Sequence, residues 1–425
     1  MFRLALILSP IVALSACGCD CIDTDQEGTD DAVDRVARVV VSPAGDVGSV
    51  VDSHNTLAWD LYGELADDDV DNIFFSPFST TAALSMTYAG AERSTQTEME
   101  DVLNVDLSED TWHEAMGAYM QDLNGDLGRG YTLTIANQLF GQTGYPFETP
   151  FLDVCDQDYA APLEDWDFIS DAEGGREHVN AWVEDNTNDR IVDLLPAGSV
   201  TGDTRLILAN AIYFLADWET QFNPEDTVDR TFTTAGRNEV TVPMMYMDIG
   251  GMPDSTIETG RTDDLAVVKL PYQDNELSMI LIVPDATDGL ADIEAELSQA
   301  TFDGWLEALQ PSDATLFMPK FTLEYEAELS TPLRALGMPS AFDASTADFT
   351  GIADASDGNL YITGVYHKAF VAVDELGTEA AAATAVVVGV ESAADFINAD
   401  HPFLFAIRDD LTGAILFIGR VTDPS

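Results

Sequence analysis

Residues 374–390 read Asp-Glu-Leu-Gly-Thr-Glu-Ala-Ala-Ala-Ala-Thr-Ala-Val-Val-Val-Gly-Val. The first half has the composition of an alanine-rich helix capped at Gly377-Thr378. Val386, Val387, Val388 and Val390 argue for a strand instead, because two heavy atoms on Cβ crowd a helical turn but pack well on a pleated surface. At a repeat of two, Thr378, Ala380, Ala382, Thr384, Val386, Val388 and Val390 share one face, with Glu379 on the other. Every residue of that face is uncharged and either small or β-branched. Such a face enters between two existing strands with little steric or desolvation cost. Gly377 at its start suits a hinge, since glycine adopts backbone angles closed to other residues.

Strand signals continue on the C-terminal side. Leu404 to Ile407 and Ile415 to Val421 form an apolar pair around a turn at Asp409-Asp410-Leu411-Thr412-Gly413. On the N-terminal side, the runs Leu206 to Phe214 and Leu277 to Val283 predict buried strands, and Leu316 to Phe321 begins another strand region. Helices precede them. Ser76-Pro77-Phe78-Ser79 is a helix-start signal ahead of the small apolar run Thr81 to Ala91. Apolar positions at Trp182, Ile191, Leu194 and Leu195 predict a helix over Val179 to Leu195. Helices first and long mixed strands later predict an α+β architecture.

The 425-residue chain carries 77 Asp+Glu against 17 Lys+Arg, a formal net charge of −60. Self-repulsion of that size destabilises a compact state at low ionic strength and is screened by salt, which favours a saline habitat or an acidic surface kept for solubility. Nucleic acid is excluded as a partner, because phosphate binding needs a basic face. Catalytic signatures are missing from the sequence: no Gly-x-Ser-x-Gly elbow, no second His at helical spacing after His113-Glu114, no phosphate or dinucleotide loop. The sequence gives no support for an enzyme, a metal or a cofactor.

Four cysteines are present, and three of them, Cys17, Cys19 and Cys21, lie near the N-terminus without the paired spacing of a zinc site. Cys155 stands alone and is expected to be a small buried apolar residue. Met1-Phe2-Arg3, the short apolar run Leu4 to Leu14, and Leu14-Ser15-Ala16-Cys17 resemble a bacterial lipoprotein signal, with Cys17 lipidated after removal of residues 1–16; an ordinary signal peptide cleaved near Ala16 is the alternative. Residues 17–51, rich in Asp and then broken by Ser42-Pro43-Ala44-Gly45, read as an acidic tether, and residues 52–425 as one folded body. The expected location is secreted, extracytoplasmic and lipid-anchored to a membrane.

The string Glu375-x-Gly377-Thr378-Glu379-Ala380-Ala381-Ala382-Ala383-Thr384 resembles the reactive-loop hinge of inhibitory serpins. The resemblance extends to Asn72-Ile73-Phe74-Phe75-Ser76-Pro77-Phe78-Ser79 with Gly90, and to Asn210-Ala211-Ile212-Tyr213-Phe214 with Trp218 and Phe222. Val242-Pro243-Met244-Met245, Leu270-Pro271-Tyr272, His367-Lys368-Ala369, His401-Pro402-Phe403 and Leu416 to Val421 also match, so it covers essentially all of residues 52–425.

The resemblance implies a metastable fold of about nine helices and three β-sheets with an exposed reactive-centre loop. It implies a suicide-substrate inhibitor: a protease cuts the loop, forms an acyl-enzyme, and is trapped as the loop enters the central sheet. By the same resemblance Ser76, Ser79, Asn210 and His367 form a polar shutter, and Trp218 and Glu375 mark the breach where insertion begins. Counting from Gly377 in the family's loop length puts the scissile bond at Glu391-Ser392, and the target is then a glutamyl-specific serine endopeptidase or an acid-preferring granzyme-like enzyme. A bond displaced by one residue, with Val390 or Ala393 read by the protease, fits an elastase- or subtilisin-like target. A trypsin-like target is disfavoured, since no Lys or Arg lies between 369 and 407. A monomer is expected. The alternatives are a non-inhibitory serpin that binds or stores, and an inhibitor of cysteine proteases.

Overall fold

The computed structural model describes residues 47–66, 71–124, 129–252, 255–354, 358–379 and 396–425. The leader, Cys17 and the acidic segment through residue 46 lie outside these residues, as do Ala380, Ala381, Ala382, Ala383, Thr384 and the Glu391-Ser392 bond.

Nine α-helices occur among the described residues: α1 (Val47–Ala66), α2 (Pro77–Tyr88), α3 (Arg93–Leu103), α4 (Glu109–Asn124), α5 (Thr149–Tyr159), α6 (Ala172–Asn186), α7 (Leu290–Ala295), α8 (Gln299–Leu306) and α9 (Ser330–Leu336). The strands are β1 (Ile73–Phe75), β2 (Tyr131–Gln142), β3 (Leu163–Trp166), β4 (Leu206–Asp217), β5 (Val228–Thr233), β6 (Glu239–Asp248), β7 (Glu258–Arg261), β8 (Leu265–Pro271), β9 (Leu277–Pro284), β10 (Gln310–Pro311), β11 (Thr315–Pro319), β12 (Phe321–Glu328), β13 (Tyr366–Val373), β14 (Gly377–Thr378), β15 (Phe396–Asn398), β16 (Phe403–Asp409) and β17 (Ile415–Val421). They form a six-stranded sheet ordered β12–β13–β14–β4–β2–β3, a seven-stranded sheet ordered β1–β17–β16–β9–β8–β7–β10, and a four-stranded sheet ordered β15–β11–β6–β5. The architecture is α+β, with the helix count and three sheets that the sequence led us to expect.

Local sequence explains the elements that frame the site. Ser76 caps α2 by accepting a hydrogen bond from the Ser79 N–H at 3.1 Å, and Pro77, whose missing N–H costs nothing there, opens the helix. All eight residues of β9 are buried, which accounts for its nearly unbroken apolar run. The β16–β17 hairpin closes at Gly413, whose φ of 88° needs glycine and whose N–H donates to the Asp409 carbonyl at 2.7 Å. Cys155 is buried and unpaired, and burial, with the nearby Asp158 charge, pushes its thiol up to about 12.

Two expectations are corrected. The helix expected over 179–195 is α6, which starts at Ala172 and ends at Asn186. Asp171 caps its start by accepting from the Gly174 N–H, and Asn188 and Asp189 take φ of 50° and 59°, turning the chain out of the helix. Ile191, Leu194 and Leu195 kept the helical spacing for another reason: they anchor the returning segment, where Asn180 exchanges two hydrogen bonds with the Leu195 backbone at 2.8 and 3.0 Å. At the other end of the body, α1 begins at Val47 and buries Val50 and Val51, so residues 47–51 of the segment read as tether belong to the first helix.

The six-stranded sheet has a helix on each face. Ala209 and Ala211 of β4 pack with Val179, Val183, Leu194 and Leu195 of α6 and the segment after it. The alternate residues Ile212 and Phe214 face the main core, and Asn210 reaches α2. Because side chains alternate along a strand, α6 and α2 lie on opposite faces.

β14 is only two residues long. Thr378 pairs with Val373 of β13, and Gly377 and Thr378 pair with Asp217 and Ala216 of β4. Beyond that point, among the described residues, β4 from Leu215 to Leu206 has a strand neighbour only on its β2 side, and β13 from Ala372 to Tyr366 only on its β12 side. A cavity of about 560 Å³ lies along this opening, lined by Ser79, Leu206, Leu208, Asn210, Tyr366 and His367 among others. Leu206, Ile207 and Leu208, expected to be fully buried, are half-buried as a result.

Candidate functional site

The site is the seam between β4 and β13, with α2 beneath it. At its lower end the structure brings together the four residues singled out as a shutter. The Ser76 N–H donates to His367 Nε2 at 3.1 Å, joining α2 to β13, and Ser76 Oγ donates to the Leu416 carbonyl of β17 at 2.8 Å. Ser79 Oγ donates to Asn210 Oδ1, joining α2 to β4. Asn210 Nδ2 passes the chain on to Asn137 Oδ1 of β2 at 2.6 Å, and Asn137 Nδ2 donates to the Tyr159 carbonyl of α5 at 3.1 Å. One helix start thus holds the two strands that flank the opening.

His367 is 7% exposed. Burial lowers its pKa to about 4. Protonation would also turn the acceptor that faces the Ser76 N–H into a donor. His367 is therefore a neutral, hydrogen-bonded structural residue.

The upper end holds Trp218 and Glu375, the residues expected to mark the breach. Trp218, 2% exposed, stacks on Tyr272 with centroids 4.6 Å apart. Its backbone N–H donates to the Leu376 carbonyl at 2.8 Å and its indole Nε1 to the Asp374 carbonyl at 3.0 Å, while the Phe222 N–H donates to the Glu375 carbonyl. The Glu375 carboxylate accepts from Lys320 Nζ at 2.5 Å and Thr227 Oγ1 at 2.8 Å. Burial raises the Glu375 pKa, but these donors outweigh it and hold the carboxyl below its usual range.

The hinge follows. Asp374 Oδ1 accepts from the Leu376 N–H at 2.8 Å, and the Asp374 N–H donates to the Gly377 carbonyl, closing a tight turn into β14. Glycine is required at 377 for a reason other than unusual backbone angles: a Cβ there would meet the Ala216 carbonyl oxygen at 2.0 Å. Thr378 points into the core, its hydroxyl 2.7 Å from that of Tyr272. Glu379 points to the other face and pairs with Arg190.

Asn137, Lys320, Thr227 and Arg190 were not singled out in the sequence, and Tyr272 entered only as part of the matching segment Leu270-Pro271-Tyr272. The one available signal was the rarity of lysine: the chain has three, and one of them, Lys320, holds the breach carboxylate.

The fold joins helices and three sheets around a central sheet in which, among the described residues, only the short β14 lies between β4 and β13. The family model described as serpin (serine protease inhibitor) matches residues 52–424, and the chain belongs to that family. It is 38% identical over 384 residues to Serpin B6 of Pongo abelii, covering 88% of this chain and 99% of that one. It is 37% identical over 378 residues to the leukocyte elastase inhibitor of Xenopus tropicalis, covering 87% and 97%. Among solved structures it is similar to the loop-inserted structure of a P1–P1′ cleaved ovalbumin mutant, with TM-score 0.78, 27% identity, and coverage of 89% and 100%. The family's activity is inhibition of proteases, and the chain is not an enzyme.

Proposed function

We propose that this protein traps a serine endopeptidase as a suicide substrate. The protease attacks Glu391-Ser392 and forms an acyl-enzyme on Glu391; before water releases it, the residues after Thr378 enter the sheet between β4 and β13 and carry the enzyme with them. The observation that carries this reading is β14, a strand already begun between β4 and β13 and leaving the rest of that seam unpaired among the described residues.

Continuing the same antiparallel pairing sets Ala380 opposite Phe214 and Val371, Ala382 opposite Ile212 and Ala369, and Thr384 opposite Asn210 and His367. The small-residue face then meets the core, and Thr384 arrives level with the shutter, where a hydroxyl has polar partners. About ten newly paired residues at roughly 0.5–1.5 kcal/mol per hydrogen bond favour the inserted state by on the order of 10 kcal/mol. The cleaved, loop-inserted ovalbumin structure supports the reading by similarity.

Glu391 fits a glutamyl-specific enzyme, and a cut beside it fits an elastase- or subtilisin-like one, a class that the name of the Xenopus relative favours. We further propose that Cys17 carries a lipid that anchors the secreted body to a membrane, which mass measurement of the mature N-terminus tests. The central test mixes the purified protein with a glutamyl endopeptidase, an elastase and a subtilisin, followed by denaturing gels. A covalent band at the summed mass supports trapping and its mapped cut names the bond. Clean cleavage with every protease left active would replace the reading with a non-inhibitory serpin.

A further inference from the structure

We propose that Arg190 is a positioning residue that holds the hinge stopped after Thr378 and thereby sets how fast the rest of the loop enters the sheet; this rests on the inhibitory reading above. Glu379 directly follows the begun strand β14 and is the last described residue of the hinge. Its N–H donates to the Ala372 carbonyl at 2.6 Å, the partner it would keep in a continued ladder with β13. Yet its φ is 65°, the left-handed region, which a residue of an extended strand does not adopt. A residue with a Cβ adopts that conformation at a cost, so something must offset it.

The compensating contact comes from the segment after α6. Arg190 Nε donates to the Glu379 carboxylate, whose side chain is only 8% exposed. The Arg190 guanidinium also sits 5.1 Å over the ring of Phe370, which the continued register puts level with residue 381. Arg190 therefore fixes Glu379 and covers the seam one step further on. For residue 380 to enter, Glu379 must swing to an extended φ and give up or rebuild its pair with Arg190. Removing the pair lowers the barrier to insertion, while the trap itself, made by the inserted strand, is unchanged.

Two rates read this. The excess of the inhibition stoichiometry over one is the ratio of acyl-enzyme hydrolysis to insertion. Spontaneous conversion of the uncleaved protein to a heat-stable inserted form needs no protease. In Arg190→Gln and in Glu379→Gln, conversion speeds up roughly twofold to fivefold, the range of a half-exposed ion pair, and any excess stoichiometry falls by the same factor. The double variant goes no further than either single one, because both remove the same interaction, and Arg190→Lys stays near the wild-type rates. Unchanged rates in the single variants overturn the proposal while leaving the inhibitory reading intact. So do effects that multiply in the double variant, or a lowered melting temperature without a change in rate. A wild-type protein that neither traps nor converts overturns both.

Discussion

The Thr378 and Tyr272 hydroxyls lie 2.7 Å apart with both side chains buried, so Thr378, a residue of β14 within the sheet, already faces the core. Tyr272 in turn stacks on Trp218, which holds the chain just before the hinge. The entry point is thus a packed pocket that admits a hydroxyl and a methyl group.

A charge at that position should stop the next strand from forming. In Thr378→Arg the guanidinium faces the Tyr272–Trp218 stack, and an unpaired buried charge costs several kcal/mol. The loop is expected to be cut as before, but the protease is released active and the covalent band is lost. Thr378→Ser keeps the band. A Thr378→Arg variant that traps as well as the wild type would sink the assignment of residue 378 to the inserting face.

The shutter chain predicts coupled losses. Asn210→Ala leaves Ser79 Oγ and Asn137 Oδ1 without their shown partner, and Ser79→Ala leaves Asn210 Oδ1 so. Each is expected to cost about 1–3 kcal/mol of native stability, the penalty for an unsatisfied buried polar group. The double variant costs less than the sum, since both break one network. Urea unfolding of the four proteins checks this; strict additivity would mean that Ser79 and Asn210 act independently.

Acid should destabilise the native state before most carboxylates titrate. Burial lowers the pKa of His54, His113 and His367 to about 4, whereas the unfolded value is near 6.5. The unfolded chain therefore binds more protons in that window, and stability falls as pH drops from about 6.5 toward 4, by at most about 3 kcal/mol per histidine. His401 acts in reverse. Burial lowers its pKa, but Asp400 and the Pro284 carbonyl outweigh that and raise it, so its contribution is full at low pH and fades as pH rises above about 6.5. Melting temperatures measured from pH 7 to 5 should decline, and decline less steeply in His367→Gln, which keeps an acceptor for the Ser76 N–H. An equal slope in that variant would count against His367 being held neutral.

The net charge of −60 predicts a salt-dependent fold. Raising ionic strength from about 0.1 M to 1 M shortens the Debye length from about 10 Å to 3 Å and screens the repulsion. The melting temperature is expected to climb over that range. A flat profile would show that the acidic surface is tolerated without salt.

Much of the frame was legible because it depends on local pattern. Ser76-Pro77 announces α2 since a cap and a pre-set φ act within one helical turn. The apolar run of β9 and the turn before Ile415 announce buried strands, because burial on both faces and a glycine at positive φ leave marks in adjacent residues. Of the face read at a period of two from Thr378 onward, Thr378 alone lies among the described residues, and it is buried. Periodicity misled at Ile191, Leu194 and Leu195, where apolar residues at helical spacing anchor an irregular segment, because spacing records burial and not backbone angle.

The partners across the seam could not be read this way. Asn210 meets Asn137 across 73 residues of chain, Thr378 meets Tyr272 across 106, Lys320 meets Glu375 across 55, and Arg190 meets Glu379 across 189. The sequence by itself determined the family and the α+β class, for these rest on residue type and short spacing. Only the tertiary structure decided that Gly377 is required by an approaching carbonyl oxygen, that one helix start joins both strands beside the seam, and that Arg190 pairs with Glu379 just after β14. The physical reason is that strand register and helix placement are set by the packing of the whole core, and two side chains distant in the chain become neighbours only once that packing exists.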